Sequence, residues 1–381
     1  MTMILFDDPE TRINLLPLTF TRPVAALRIG IDTIAEKWES FLGLKAAFQT
    51  ETYLQAKFPA SSGDDLYVEG ALLPNASLAE ALLALKEGEV LIAGGRRLAW
   101  RGTPQKEIPW NQPFQRISNL WDLFMLNDTV LRADFNRLTK GRQSAPLSST
   151  NTLIGEAQNL FIEEGAVVEA SVLNVRSGPI YIGKGAEIME GCLIRGPVAI
   201  GEGTQVKMGA KIYGASTFGP QVRVGGEVNN SIMLGYCNKA HDGFLGHSVI
   251  GEWCNLGADS NNSNLKNNYA TVKLYHYGKR AFINTGLQFC GLFMGDHSKC
   301  GINTMFNTGT VVGVSANIFG SGFPRNFIPS FSWGGAQGFQ TYRLEEALAT
   351  ARRVMERRHI PFTEADEVIF AEVFARDAFK S

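Results

Sequence analysis

His241 carries the strongest prospect of chemistry in this 381-residue sequence. It sits in Asn238-Lys239-Ala240-His241-Asp242-Gly243-Phe244-Leu245-Gly246, and Glu227 stands fourteen residues upstream. A carboxylate close to an imidazole orients the ring and raises its basicity. Such a pair suits general-base removal of a proton from an amine or a hydroxyl. Taken alone, a histidine in a β-rich segment is more often a hydrogen-bonded structural residue. The Lys239-Ala240-His241 run, with Glu227 and with Asn255 further on, tips the reading towards catalysis. His247 and His297 fall in the same part of the chain among polar neighbours. Arg22, alone between apolar flanks in Leu15-Leu16-Pro17-Leu18-Thr19-Phe20-Thr21-Arg22-Pro23, reads equally as a phosphate partner or as a surface arginine holding its own loop.

For His241 and Glu227 to meet, residues about one turn apart must fall on neighbouring rungs, and the repeat around them supplies this. Ile182, Ile188, Ile194, Ile200, Val206, Ile212, Phe218 and Val224 stand at eight successive steps of six, and every one is apolar. Neither an α-helix nor a single strand has that period. A coil of short flat strands does, with one side chain per step pointing inward and glycines turning the corners. This hexapeptide pattern predicts a parallel β-helix. The alternative, a Gly-rich antiparallel sheet, would meet eight consecutive steps only by accident. The register starts at Ile162 and Val168, breaks at 174–179, and returns through Ile250–Leu256, Ile283–Phe289 and the steps Met294, Cys300, Phe306, Val312 and Ile318. At three six-residue sides per turn, residues 153–322 make roughly nine coils. A polar excursion, Asp259–Lys279, interrupts them and holds Asn264 among other asparagines. It reads either as a binding face or as a solvated loop. Apolar residues in outward phase (Trp253, Phe293, Met305, Phe327, Phe331, Trp333) need covering, which other copies around a rotation axis would provide.

Three segments follow: an α/β domain over 1–140, the coil over 153–335 and a helical tail over 340–381. In the first, Thr2–Phe6 reads as an opening strand, Ile31–Phe41 and Leu78–Glu87 as helices, and Val90–Ala93 as a further strand. Ser77 and Glu80 have the spacing of a capping box. Trp121–Leu138 reads as a helix, and Gly141–Thr152, rich in Ser, Pro and Gly, as the linker. Strands alternating with helices imply a partly parallel sheet, beyond whose carboxyl ends ligands bind. That placement is what makes Arg22 a phosphate candidate.

Composition excludes several classes. A net charge of −1 with 19% charged residues provides no basic field for nucleic acid or an anionic membrane. No apolar run approaches the roughly 18 residues that span a bilayer, and no signal peptide precedes Asp7-Asp8. The five cysteines (Cys192, Cys237, Cys254, Cys290, Cys300) form no CxxC pair and read as buried free thiols of a reducing compartment. The expectation is a cytoplasmic protein.

Leu18-Thr19-Phe20-Thr21-Arg22-Pro23-Val24 resembles the Thr-Arg…Pro loop of sugar-1-phosphate nucleotidyltransferases, without that family's Gly-x-Gly. Leu66-Tyr67-Val68-Glu69-Gly70-Ala71 stands where the family carries a strand ending in Gly-Asp, whose Asp holds Mg²⁺. Here Ala71 replaces the Asp, leaving Glu69 and, on the second metal side, Asn127 as candidates. The later block is similar to the acetyltransferase half of the bifunctional glucosamine-1-phosphate acetyltransferase/N-acetylglucosamine-1-phosphate uridylyltransferase family. That family joins an α/β nucleotidyltransferase domain to a left-handed parallel β-helix. The whole chain resembles its divergent Bacteroidetes-type form, through residues 16–23, 238–247, 294–299 and 331–335.

The resemblance implies that His241 is the base, Glu227 its orienter and Asn255 a contact to the amino sugar. It implies acetyl-CoA contacts at Thr285, Asn303 and Arg325, and a tail that crosses to a neighbouring subunit near the coenzyme. Substrate would meet Lys211, the one cation near the family's sugar-phosphate positions, together with Lys239, Asn264, and Phe244 in place of a tyrosine. The implied reaction is acetyl transfer from acetyl-CoA to the amine of an amino-sugar 1-phosphate. No metal is needed for it, whereas coupling the product to a nucleoside triphosphate in the first domain would need Mg²⁺. Two alternatives remain: a hexose-1-phosphate nucleotidyltransferase with the coil as oligomeriser, and a non-catalytic sugar-nucleotide-binding trimer.

Overall fold

The computed structural model describes residues 2–61 and 65–379. Residue 1 and residues 380–381, the outer ends of the first and last expected segments, lie outside that range. The opening strand Thr2–Phe6 is second from the edge in a six-stranded sheet. Parallel neighbours Ala46–Gln49 and Asp65–Glu69 flank it. Arg96–Arg101 then pairs antiparallel with Asp65–Glu69, and Glu89–Ala93 and Lys106–Pro109 complete the edge. The expected helices form at Ile34–Leu42, Ala76–Ala84 and Asp122–Thr139. The second is capped by Asn75, whose side chain accepts from Leu78 N–H, so the Ser77/Glu80 box does not form. Asn75 reaches the free amide first, two residues earlier in the chain.

The coil is a parallel β-helix with three faces. The first holds nine strands from Leu160–Ile162 to Phe327–Ile328. The second runs from Val167–Val168 to Ser332–Gly335 and ends on the antiparallel strand Gly338–Thr341. The third holds six, from Thr152–Ile154 to Phe244–Gly246. The nine-stranded face agrees with the coil count expected from the period. Ile182, Ile188, Ile194, Ile200, Val206, Ile212, Phe218 and Val224 all lie in one buried stack inside the prism. The glycines between them do two jobs. Gly185 and Gly203 turn corners at φ +61°, whereas Gly196 has no room for a side chain, since a Cβ there would lie 2.2 Å from Gly178 O. All five cysteines are buried free thiols.

Two expectations for the coil need correction. Ile283–Phe289 does not resume the repeat. Lys273–His276 and Ala281–Asn284 form an antiparallel hairpin outside the prism. This hairpin fastens the excursion to the rest of the molecule, with His276 Nε2 2.9 Å from Asn14 Oδ1 and Tyr277 donating to Asp377 at 3.3 Å. Nor does the cover over Trp253, Phe293 and Phe331 require other copies, because the chain buries all three itself. The N-terminal domain packs on the first face, where Phe293 joins Leu123 and Phe124 in one core. The tail helices Leu344–Glu356 and Glu364–Asp377 pack Phe370 and Val373 against Phe331 and Val314. The last helix opens on a Thr363/Asp366 capping box.

Candidate functional site

The Arg22 loop builds the junction between the N-terminal domain and the coil. Its guanidinium is 5% exposed. It binds the Asp296 carboxylate directly and reaches Glu252 at 3.3 Å. Asp296 also accepts from Thr21 Oγ1 at 2.7 Å and from Glu252 N–H at 2.8 Å. Burial alone would loosen the arginine proton, but Asp296 and then Glu252 outweigh it and hold it more tightly than usual. The side chain is therefore spent on the coil and does not face a phosphate, which corrects the expectation. Sequence could not have shown this, since the partners lie more than 200 positions away and become neighbours only through the domain packing.

The two metal-side candidates are likewise occupied. Glu69 is fully buried and is bound by Arg116, with Arg96 at 3.2 Å. Asn127 accepts from Gly30 N–H at 2.7 Å and donates to Ala215 O at 2.8 Å across the domain border. One carboxylate held by two arginines and one amide tied to backbone do not fit a divalent cation, which needs free oxygen ligands. Among the described residues, no group of three His, Cys, Asp or Glu side chains gathers to hold a metal. A cleft does open at the carboxyl ends of Thr2–Phe6 and Asp65–Glu69, about 570 Å³, lined by Asp8, Glu69, Gly94, Gly95, Arg97 and Trp100. Arg97 and Trp100 had no recognisable signal in the sequence.

On the coil, His241 is exposed, on the corner between the second and third faces. Its backbone stacks over Gly226, where a Cβ would lie 3.0 Å from His241 O. Neighbouring rungs thus bring His241 beside the start of strand Glu227–Asn229. The expected Glu227–His241 pair nevertheless does not form. Glu227 lies across from Phe244 in register, accepts from Tyr213 OH at 2.6 Å and faces Lys211 Nζ at 4.0 Å. The rungs here are seventeen residues apart, not fourteen, so the carboxylate is level with a residue three positions past His241. Glu227, Lys211, Tyr213 and Arg195 share an open groove of about 500 Å³ on the third face. Phe244 extends this face by one rung, half-buried.

Lys239 cannot touch a substrate. It takes the inward place that Val224 fills one rung below and is 2% exposed. Its ammonium donates to His241 O at 2.7 Å, and burial pushes its pKa down to about 8. Asn264 is also internal to the fold, with Nδ2 2.9 Å from Nδ1 of His247. Burial lowers that histidine to about 4 and keeps it neutral. Thr285 Oγ1 donates to Val272 O at 2.8 Å beside the hairpin, whereas Asn303 and Arg325 are exposed on separate loops. No cavity gathers these three among the described residues.

Asn255 lies elsewhere, on the second face, where it accepts from Asn238 Nδ2 at 2.7 Å. There a cleft of about 540 Å³ opens between the coil and the tail helix Leu344–Glu356 and collects Lys207, Arg223, Lys299, Arg357 and Arg358. The tail thus lies along its own coil. The helix is legible in the sequence, whereas the surface beneath it is assembled from distant rungs.

An α/β domain clasped to a parallel β-helix by its own tail defines the class of fold. Residues 3–143 match the family described as Sugar nucleotidyl transferase. The chain is 34% identical over 93 residues to the bifunctional sugar-1-phosphate nucleotidylyltransferase/acetyltransferase of Sulfurisphaera tokodaii, covering 24% of this chain and 23% of that one. It is 34% identical over 87 residues to the bifunctional protein GlmU of Methanocaldococcus jannaschii, covering 23% and 21%. The match spans less than a quarter of the length of these curated relatives. An Arabidopsis UDP-N-acetylglucosamine acyltransferase structure aligns with 61% of this chain and 88% of its own, at 14% identity and a TM-score of 0.19. No helix among the described residues is long and apolar enough to cross a membrane.

Proposed function

We propose that this protein is a transferase of sugar-nucleotide biosynthesis that moves an acetyl group from acetyl-CoA to the amine of an amino-sugar 1-phosphate. The observation that carries the reading is an exposed imidazole, His241, on a coil corner next to a groove holding Lys211, Tyr213 and Glu227. The amine attacks the thioester carbonyl, and His241 takes the proton that the nitrogen sheds. The tetrahedral intermediate then collapses with loss of the CoA sulfur, which accepts that proton. Backbone N–H groups at the corner are suited to stabilise the oxyanion. Lys211 supplies a charge-assisted donor for the sugar phosphate. Glu227, held by Tyr213, acts on the groove and not on the ring. A homotrimer fits the apolar groups left exposed around this corner, Val167, Leu193, Met208 and Ile302.

The test is release of CoA thiol from acetyl-CoA with glucosamine 1-phosphate as acceptor. His241→Ala should lower the rate about 100-fold or more, the usual worth of a general base, and an unchanged rate refutes the assignment. A second reading, a hexose-1-phosphate nucleotidyltransferase with the coil as oligomeriser, is favoured by the family match over 3–143 and by the cleft with Arg97. It predicts pyrophosphate release from a nucleoside triphosphate and a sugar 1-phosphate. A protein silent in both assays is the non-catalytic sugar-nucleotide binder, a reading favoured by the occupied Arg22 and Glu69.

A further inference from the structure

We propose that the cleft between the second face of the coil and the tail helix Leu344–Glu356 is a binding site for the diphosphate of a nucleotide. It stands apart from His241, and the acetyl-transfer reading does not depend on it.

Lys207, Arg223, Lys299, Arg357 and Arg358 line the cleft, and no carboxylate does. None of the five makes an ion pair among the described residues. Lys299 donates to His297 O at 2.8 Å, Lys207 to Gln205 Oε1 at 2.8 Å, and Arg223 to the carbonyls of Gly203 and Val222. Arg223 and Arg358 are both lowered, first by burial, then by a neighbouring arginine (Arg358 for Arg223, Arg357 for Arg358). Burial also lowers Lys299, to about 8. Elsewhere this protein pairs its buried arginines with carboxylates, as at Arg22, Arg116 and Arg137. A packed set of cations with no carboxylate in its lining and no ion pair suits a ligand that brings several negative charges, and phosphate oxygens match guanidinium forks.

The wall of the cleft points to a ring beside those phosphates. Along one corner of the coil the first three rungs carry Gly165, Gly185 and Gly203, all at positive φ. The rungs above replace glycine with Gln221, Tyr236, Trp253 and His297, still at φ +55° to +62°. Bulky side chains adopt this backbone only under strain. Here the strain stacks Tyr236 on Trp253, 4.2 Å between centroids and 11° between planes, at the edge of the cleft. Asn238 and Asn255 stand beside them with amide groups able to read a base edge.

Titration calorimetry on the full chain at fixed ionic strength tests the site with UDP, ADP, CoA and pyrophosphate as probes and sodium sulfate as control. Binding of UDP, ADP and pyrophosphate is expected, with a loss of at least tenfold in Arg357→Glu/Arg358→Glu. Lys207→Glu, on the coil side, should weaken binding in the same direction if the tail variant alters helix packing. UDP bound above ADP and CoA identifies the source as a nucleotide sugar or nucleoside triphosphate, and the reverse order identifies the nucleotide end of the acyl carrier. Sulfate binding as tightly as pyrophosphate, or unchanged affinity in both variants, overturns the proposal. Neither outcome touches the His241 result, so the two readings fail separately.

Discussion

The Arg22 junction and the tail cleft both reach the stacked rings Tyr236, Trp253 and His297 and treat their cations in opposite ways. At the junction Arg22 is closed off by Asp296 and Glu252, with Thr21 adding a further donor. In the cleft five cations gather with no acid in the lining. Trp253 lines both spaces, yet Arg22 is buried whereas the cleft cations are half-buried or exposed. A buried guanidinium with both carboxylates present is finished structure, and removing one partner strands the others. A cluster lacking its counter-charge is unfinished until something binds. The comparison separates residues that hold this protein together from residues available to a ligand, a distinction that residue type does not make.

The largest effect expected from that comparison falls on the junction. Arg22→Ala leaves Asp296 buried without its cation and half-buried Glu252 unpaired, and should cost about 3–5 kcal/mol in denaturant unfolding. A loss below 1 kcal/mol would mean the pair is not the lock described. Next comes Asn127→Ala, which strips the buried Gly30 N–H of its acceptor and should cost about 1–3 kcal/mol.

Lys239→Met should act in the other direction. The buried amine is a liability, so the methionine variant should melt higher. Its pH dependence sharpens the test. Lys239 and Lys299 have folded pKa values near 8, below the ordinary value of 10.5. Between those limits the folded protein binds fewer protons than the unfolded chain, so stability rises with pH across that window. Lys239→Met should remove its share of the slope, and an unchanged slope in thermal melts from pH 8 to pH 10 would refute the burial. The smallest effect is expected in the cleft. Arg357→Ala should shift ligand-free stability by no more than about 0.5 kcal/mol. If it proves as damaging as Arg22→Ala, the two regions do not differ as described.

Much of the fold was legible in the sequence because its signals are local. Steps of six fixed the coil, since an inward side chain recurs at every face of a triangular prism whatever surrounds it. The opening strand and the helix Asp122–Thr139 were legible for the same reason. The site was legible only in part. His241 is exposed at a corner as a base must be, but the residue level with Glu227 on the next rung is Phe244, seventeen positions on, and not His241, fourteen positions on. Register of that kind is set by how each corner closes, and Gly225-Gly226 shortens the one below His241.

The sequence by itself determined that an apolar prism would form and which side chains would fill it, because periodicity alone dictates which positions face inward. Only the tertiary structure decided what the charged residues do. Whether Arg22 met a phosphate or Asp296, whether Glu69 met a metal or two arginines, and what lay beneath Arg357 and Arg358 depended on partners far away in the chain. An inward methyl group needs only an apolar environment, which any neighbouring rung supplies. A charge needs one particular partner at hydrogen-bond distance, and no local pattern in the sequence records who that partner is.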